Sequence, residues 1–296
     1  MLGPILFLFY INDLTTVDVS GRFTLFADDT TLVWRSSDTT RLIACIERDL
    51  FMIKSWCDSN LLCFNMSKTS VVSFNCNVSN ISLTNESINI RSNVKFLGLY
   101  VDENLKFSAH IESLSRKVSS GCYAVRICAS ELGAREARMV YFALVESHLL
   151  YGNAFWGCCS RQLFMSVFVL QKRAIRYICR AGSREHCKPL FVRHQILTLV
   201  CLFVLETACL VHKNVLLNPA PVRSAYNTRR SGNLPLPIPK TTQTKQSIIY
   251  EGRKIYNHVP ETLKNLQCLK KFKRNFKQLL LIQAFYTPEE YYGHMF

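Results

Sequence analysis

Hydrophobic residues recur with two different periods along this chain. Up to about residue 105, short apolar runs alternate with polar positions as strands do, around one long helical stripe; from Ser108 onward the period is helical. Phe23-Thr24-Leu25-Phe26-Ala27-Asp28-Asp29-Thr30-Thr31-Leu32-Val33 reads as a β-hairpin with Asp28-Asp29 at its tip. Before it, residues 5–14 read as the tail of a buried helix. After it, Asp38 is the expected N-cap of a helix carrying Leu42, Ile46, Leu50, Ile53 and Cys57 on one stripe. Leu61 to Phe64 and Thr69 to Phe74 alternate as strands. Residues 77–93 are rich in Asn and Ser, with a short strand at Ile88-Asn89-Ile90. Phe96-Leu97-Gly98-Leu99-Tyr100-Val101 follows as a further strand. This order predicts an α+β fold for the first third.

Beyond Ser108, helical spacing runs through Ile111, Leu114, Val118, Cys122, Val125 and Leu132. It continues through Val140, Leu144, His148 and Tyr151, then Val167, Leu170, Ala174, Tyr177 and Ile178, then residues 190–212. His148 is read as a satisfied core histidine. The apolar run Ile196 to Leu205 is half the roughly twenty residues a membrane helix needs, and Arg193, His194 and Glu206 bound it, so a buried helix is expected. Residues 216–247 hold five prolines with many Thr, Ser and Asn, the composition of a linker or extended segment. A helical pattern returns at Ile249, Ile255, Tyr256, Leu269, Phe272, Phe276, Leu279 and Leu280. Within it Lys270-Lys271-Phe272-Lys273-Arg274-Asn275-Phe276-Lys277 interleaves cations with rings; the rings either stack on bases or form the helix's core face. The pattern divides the chain into residues 1–105, 106–215, 216–247 and 248–296.

Charge sharpens this division. The 296 residues carry a net charge of +15. Residues 1–105 hold 8 Lys/Arg against 11 Asp/Glu, whereas the remainder holds 28 against 10. A basic portion joined to a mildly acidic one points to a polyanion, nucleic acid ahead of an anionic membrane surface. The 13 cysteines lie scattered, many in apolar runs, and read as reduced thiols. No Cys-x-x-Cys pair occurs and His186-Cys187 lacks partners at metal spacing, so no zinc site is expected. Met1 has no basic flank and Pro4 interrupts the apolar start, so no signal peptide is read. An intracellular location, cytoplasm or nucleus, is expected, without a membrane.

The adjacent carboxylates Asp28 and Asp29 carry the most specific chemistry. Side chains in a strand alternate faces, so two neighbours approach one spot only at a turn. Their mutual repulsion is relieved by a divalent cation, and Mg²⁺ held by one or two carboxylates plus substrate phosphates is a common polymerase arrangement. A solvated turn is the alternative, since Asp favours turns. The flanks tip the balance toward the metal reading. Upstream stands Leu2-Gly3-Pro4-Ile5-Leu6-Phe7-Leu8-Phe9-Tyr10-Ile11-Asn12-Asp13-Leu14; downstream come Asn65-Met66-Ser67-Lys68-Thr69 and Val94-Lys95-Phe96-Leu97-Gly98. In this order and spacing the chain resembles a reverse transcriptase of the non-LTR retrotransposon (LINE) type, the jockey-like elements of animals above all. The resemblance is highly specific to about residue 105 and weaker beyond.

The resemblance implies the C-terminal half of a polymerase palm followed by a helical thumb and C-terminal region. It implies metal binding by Asp28 and Asp29, a dNTP-site neighbourhood at Leu2, Gly3, Pro4, Phe26 and Ala27, and a primer grip at Phe96, Leu97 and Gly98. Lys68 stands where the family has a lysine that could protonate leaving pyrophosphate; a solvated strand-edge lysine is the other reading. Gly98 suits close approach to a nucleic-acid strand or a strand bend. Lys270, Lys271, Lys273 and Arg274 are the expected nucleic-acid contacts. The implied reaction is dNTP addition to a DNA primer on an RNA template with Mg²⁺. The family's palm also carries fingers, a first metal-binding Asp and a Gln-Gly-Ser ahead of the Leu-Gly-Pro. The chain starts one residue before Leu2, which implies an N-terminally truncated fragment, inactive alone. A catalytically dead nucleic-acid-binding protein, or a pseudogene product without a stable fold, are the alternatives.

Overall fold

The structure is a computed structural model of the chain, and it describes residues 2–76, 78, 80–83, 86–217 and 233–296. The chain divides into two compact units, Met1–Asn104 and Leu105–Phe296. The first mixes helix with small two-stranded sheets; among the described residues of the second, every regular element is a helix.

In the first unit, helix Gly3–Asn12 and a 3₁₀ turn Asp13–Thr16 lead into strands Arg22–Phe26 and Asp29–Val33, paired antiparallel from Arg22↔Val33 to Phe26↔Asp29. Helix Thr39–Ser59 follows. Its N-cap is Asp38, whose Oδ1 accepts from the Thr40 amide at 2.9 Å. Ile46, Leu50, Ile53 and Cys57 are buried as their spacing predicts, and Asp49 is buried with them. The stripe serves two clusters. Ile46 and Leu50 pack with Ile81, Leu83 and Ile88; Ile53 and Cys57 pack with Leu14 and with the inward hairpin residues Phe23, Leu25 and Leu32.

Four expectations for this unit are corrected. Helix Gly3–Asn12 is not buried: none of its residues is, and Phe9 is 73% exposed. It is apolar on every face, while only its C-terminal end meets the core, through Ile11 and the following Leu14. The Tyr10 hydroxyl also donates to the Asn60 carbonyl. Leu61 to Phe64 is not a strand. Leu61 takes a left-handed φ of 57°, and the Leu62 amide donates to the Cys57 carbonyl at 2.9 Å while the Leu61 amide donates to Asp58 at 3.3 Å. That is a Schellman motif, which uses these residues to end the helix rather than to start a strand. Of Thr69 to Phe74 only Ser70–Val71 is strand, paired parallel with Asn89–Ile90. Finally, Phe96 to Val101 is two strands: Asn93–Phe96 and Leu99–Asp102 form a hairpin whose two-residue turn is Leu97-Gly98.

The second unit is built around helix Leu199–Leu217, which packs against Asn153–Trp156, Ile248–Asn257 and Leu269–Gln283. It is the one described helix long and apolar enough to cross a membrane, and most of its apolar stretch is buried inside the unit. Helix Ser108–Glu131 packs on Arg161–Cys179 and Ala134–Tyr141. Here the expected stripe is off by one position. Ala137, Tyr141, Val145 and Leu149 are buried, whereas Leu144 is 43% exposed and His148 is half-buried rather than a core histidine. The apolar run offers two stripes one residue apart. Tyr141 selects the inner one, because Gln171 is buried beside it and donates to its hydroxyl at 2.9 Å. Of the Pro-rich segment 216–247, residues 218–232, with Pro219 and Pro221, lie outside the described residues.

Candidate metal and nucleic-acid site

The turn at Ala27-Asp28 is closed by the pair Phe26↔Asp29, so Asp28 stands in the turn and Asp29 opens the second strand. Ala27 takes a left-handed φ of 51°. A residue with a Cβ adopts that conformation at a cost of about 1 kcal/mol or more, the kind of local strain that gathers at functional sites. Both carboxylates are exposed, as is Phe26, while the arms behind them are anchored through Phe23, Leu25 and Leu32. The arrangement therefore presents two adjacent carboxylates to solvent on anchored arms. Among the described residues no group of three or more His, Cys, Asp or Glu side chains is placed to hold a metal ion, so the pair has no third protein ligand there.

The other predicted site residues fall on separate elements. Leu2 and Pro4 flank the start of helix Gly3–Asn12, with proline in its first turn, where a missing amide costs nothing. Leu2, Gly3 and Pro4 are exposed. Lys68 is exposed in a turn organised by Asn65, whose Oδ1 accepts from the Ser67 hydroxyl at 2.7 Å and the Lys68 amide at 3.1 Å. The Asn65 carbonyl accepts the Thr69 hydroxyl at 2.8 Å. The Asn-x-x-Lys-Thr spacing is thus a local hydrogen-bonding requirement, which holds the lysine at a loop apex. Phe64, one residue before this turn, packs into the same cluster as Ile11 and the hairpin residues, which brings the roots of these three elements together.

Phe96 closes the other hairpin, opposite Leu99. Leu97 has φ 44° and Gly98 φ 86°, two consecutive positive values, as the tight turn favoured in two-residue hairpins demands. Gly98 serves as a turn glycine, with its backbone exposed.

On helix Leu269–Gln283 the two roles open to the rings are resolved. Phe272 and Phe276 are fully buried, and Phe272 stacks on His212 with ring centres 4.0 Å apart. They are core. Lys270, Lys271 and Arg274 are exposed on the opposite side, while Lys273 flanks the buried face and pairs with Glu206 of the central helix at 2.7 Å. His212 itself is buried and tied at both ring nitrogens, to the Tyr256 hydroxyl at 2.9 Å and the Leu266 carbonyl at 2.8 Å; burial lowers its pKa.

Sequence reasoning missed one group, Asp49. It is fully buried, yet it is a carboxylate. Its Oδ2 accepts from the Ser20 amide (2.8 Å), the Ser20 hydroxyl (2.7 Å), the Gly21 amide (3.0 Å) and Trp34 Nε1 (2.8 Å). Its Oδ1 takes two bonds from Arg48. Burial alone would raise its pKa, but the bonds from Trp34, Ser20, Arg48 and Gly21 outweigh burial and hold it below the usual carboxylate range. An acidic residue inside an apolar stripe, between Leu50 and Ile46, is the signal that could have found it.

Comparison with known proteins gives three similar curated chains. A probable RNA-directed DNA polymerase from transposon BS of Drosophila melanogaster is 25% identical over 60% of this chain and 21% of its own length. A retrovirus-related Pol polyprotein from the type-1 retrotransposable element R1 of Bradysia coprophila is 26% identical over 64% of this chain and 20% of its own. A probable RNA-directed DNA polymerase from transposon X-element of Drosophila melanogaster is 23% identical over 60% and 21%. The match thus spans about a fifth of each relative. No protein-family model matches the chain, and no solved structure matches it.

Proposed function

We propose that this chain is part of an RNA-directed DNA polymerase of a non-LTR retrotransposon and supplies its metal-binding turn, its primer grip and a basic phosphate-contacting surface. The observation that carries this reading is the pair Asp28 and Asp29, presented on an anchored hairpin with a left-handed Ala27 before it. Mg²⁺ fits the donor set, because two carboxylate oxygens leave coordination positions for substrate phosphates and water. When bound, the ion would neutralise phosphate charge and stabilise the leaving oxygen. Asp28 and Asp29 would hold it at the hairpin tip. Lys68, at the apex of the Asn65 turn, donates a proton to leaving pyrophosphate. The Leu97-Gly98 turn lets backbone approach the primer strand beside Phe96. Lys270, Lys271, Lys273 and Arg274 neutralise template or primer phosphates. The partners are then an RNA template, a DNA primer and dNTPs inside the cell.

A single turn with two carboxylates is unlike a complete two-metal site, so the chain alone is expected to give only background extension of oligo(dT) on poly(rA) with Mg²⁺ or Mn²⁺. Joined in frame to the preceding part of the transposon BS polymerase, it is expected to extend the primer, and Asp28→Ala to remove nearly all of that activity. An active chimera indifferent to Asp28→Ala refutes the assignment.

A further inference from the structure

The two arms of the carboxylate hairpin enter and leave the first unit at adjacent points. Ser20-Gly21 precedes strand Arg22–Phe26, and Trp34 follows strand Asp29–Val33. One buried oxygen holds both feet: Asp49 Oδ2 accepts two bonds from Ser20, one from Gly21 and one from Trp34, all between 2.7 and 3.0 Å. The feet also touch each other. A Cβ on Gly21 would lie 2.6 Å from Trp34 Nε1, so the indole rests directly on the Gly21 backbone and only glycine leaves it room. Asp49 sits on helix Thr39–Ser59, whose neighbours Ile46, Leu50 and Ile53 form both core clusters of the unit. Four donors converging on one oxygen require an ionised carboxylate: a neutral amide offers a weaker acceptor and turns two N–H groups towards Arg48.

We propose that Asp49 is a positioning residue for the Asp28-Asp29 turn, tying both feet of the hairpin to the core helix so that the two carboxylates are held at one place and angle for a divalent cation. This rests on the metal reading given above. Phe23, Leu25 and Leu32 hold the arms against the core, and Asp49 fixes where the arms begin. Asp28, Asp29, Phe26 and Ala27 are exposed, and among the described residues the two strands pair only with each other, so the tip's aim is set by these core contacts and by its base. A two-stranded ribbon standing alone is marginal in water, and its freedom is removed where it is anchored. Removing a hydrogen bond made directly to a metal ligand typically weakens the metal by roughly 10- to 100-fold; Asp49 acts one strand away from the carboxylates, so a smaller, severalfold loss is expected.

The test uses the full chain, ¹⁵N-labelled, titrated with Mn²⁺ alone, and reads paramagnetic broadening of the amides at Ala27, Asp28 and Thr30 together with the thermal transition. Broadening at the tip is expected in the wild type and is expected to vanish in Asp28→Asn. Asp49→Asn is expected to weaken the Mn²⁺ midpoint severalfold, less than the loss of a direct partner of a ligand, while leaving the amides of residues 105–296 in place. Trp34→Phe keeps the buried carboxylate and an aromatic ring but releases one foot, and is expected to shift the midpoint in the same direction with a smaller loss of melting temperature than Asp49→Asn. It carries the test if Asp49→Asn unfolds the first unit. Broadening that is the same in wild type and Asp28→Asn overturns the metal reading, and the positioning role falls with it. Broadening that depends on Asp28 but is unchanged in Asp49→Asn and Trp34→Phe overturns the positioning role and leaves the metal reading standing.

Discussion

Truncating Phe272 separates the two readings of the Lys270–Lys277 stretch. The ring is fully buried. It lies 4.0 Å from the His212 ring at an interplanar angle of 10°, and 5.8 Å from Phe276. It therefore holds helix Leu269–Gln283 against the central helix that carries His212. Phe→Ala at such a site removes the transfer energy of the ring and leaves a cavity, a loss of about 3–5 kcal/mol. In a unit of this size each kcal/mol moves the midpoint by about 2–4 °C, so the melting temperature of the second unit should fall by roughly 10 °C. The matching perturbation on the outer face is the triple change of Lys270, Lys271 and Arg274 to Gln. These side chains are exposed, and each replacement should alter stability by less than about 0.5 kcal/mol. Each cation that no longer neutralises a phosphate of a single strand should instead flatten the slope of log K against log salt by about 0.7, hence by about 2 for the three. The assays are thermal melting by far-UV circular dichroism and fluorescence-anisotropy titration of a labelled single-stranded oligonucleotide at several salt concentrations. A Phe272→Ala chain that melts like the wild type but binds weakly refutes the core assignment and returns the ring to base stacking. An unchanged salt slope in the triple variant removes this helix from the nucleic-acid interface.

Two further outcomes are expected. Glu146 is nearly fully buried, and burial pushes its carboxyl up to about 7 despite Lys277 and Arg138 nearby. The folded state therefore binds this proton more tightly than the unfolded state. Stability should fall as pH rises from about 4.5 through 7 and then level off, by up to about 3 kcal/mol. In Glu146→Gln that fall should be absent in denaturant midpoints taken across this range; a fall of the same size in the variant would assign it to another group. Leu61, 94% exposed with φ 57°, occupies the left-handed position that ends helix Thr39–Ser59. Leu61→Gly should stabilise the first unit by about 1 kcal/mol, since it relieves the left-handed cost and removes no packing; a lower urea midpoint in the variant would contradict this.

The chain's local chemistry was legible from the residues alone wherever near neighbours decide the structure. The hairpin with Asp28-Asp29 at its tip, the Asp38 cap and the stripe Ile46, Leu50, Ile53 and Cys57 all follow from turn preference, side-chain capping and helical period, each settled within a few residues. Tertiary packing decided the rest. Whether Phe272 and Phe276 face bases or a core depends on the central helix that stacks His212 against them, some sixty residues away in sequence. The stripe through Tyr141, Val145 and Leu149 was chosen over its neighbour one residue along because Gln171 lies beside Tyr141, a pairing no periodicity encodes. Helix Gly3–Asn12 looked like core because its residues are apolar, but burial requires a neighbour on each face, and among the described residues of its own unit its C-terminal end, with Tyr10 and Ile11, is where it finds one. Asp49 is the sharpest case. Its burial would be costly in isolation, and only the convergence of Ser20, Gly21, Trp34 and Arg48 on its two oxygens, brought together by the fold, makes a buried carboxylate stable beneath the hairpin.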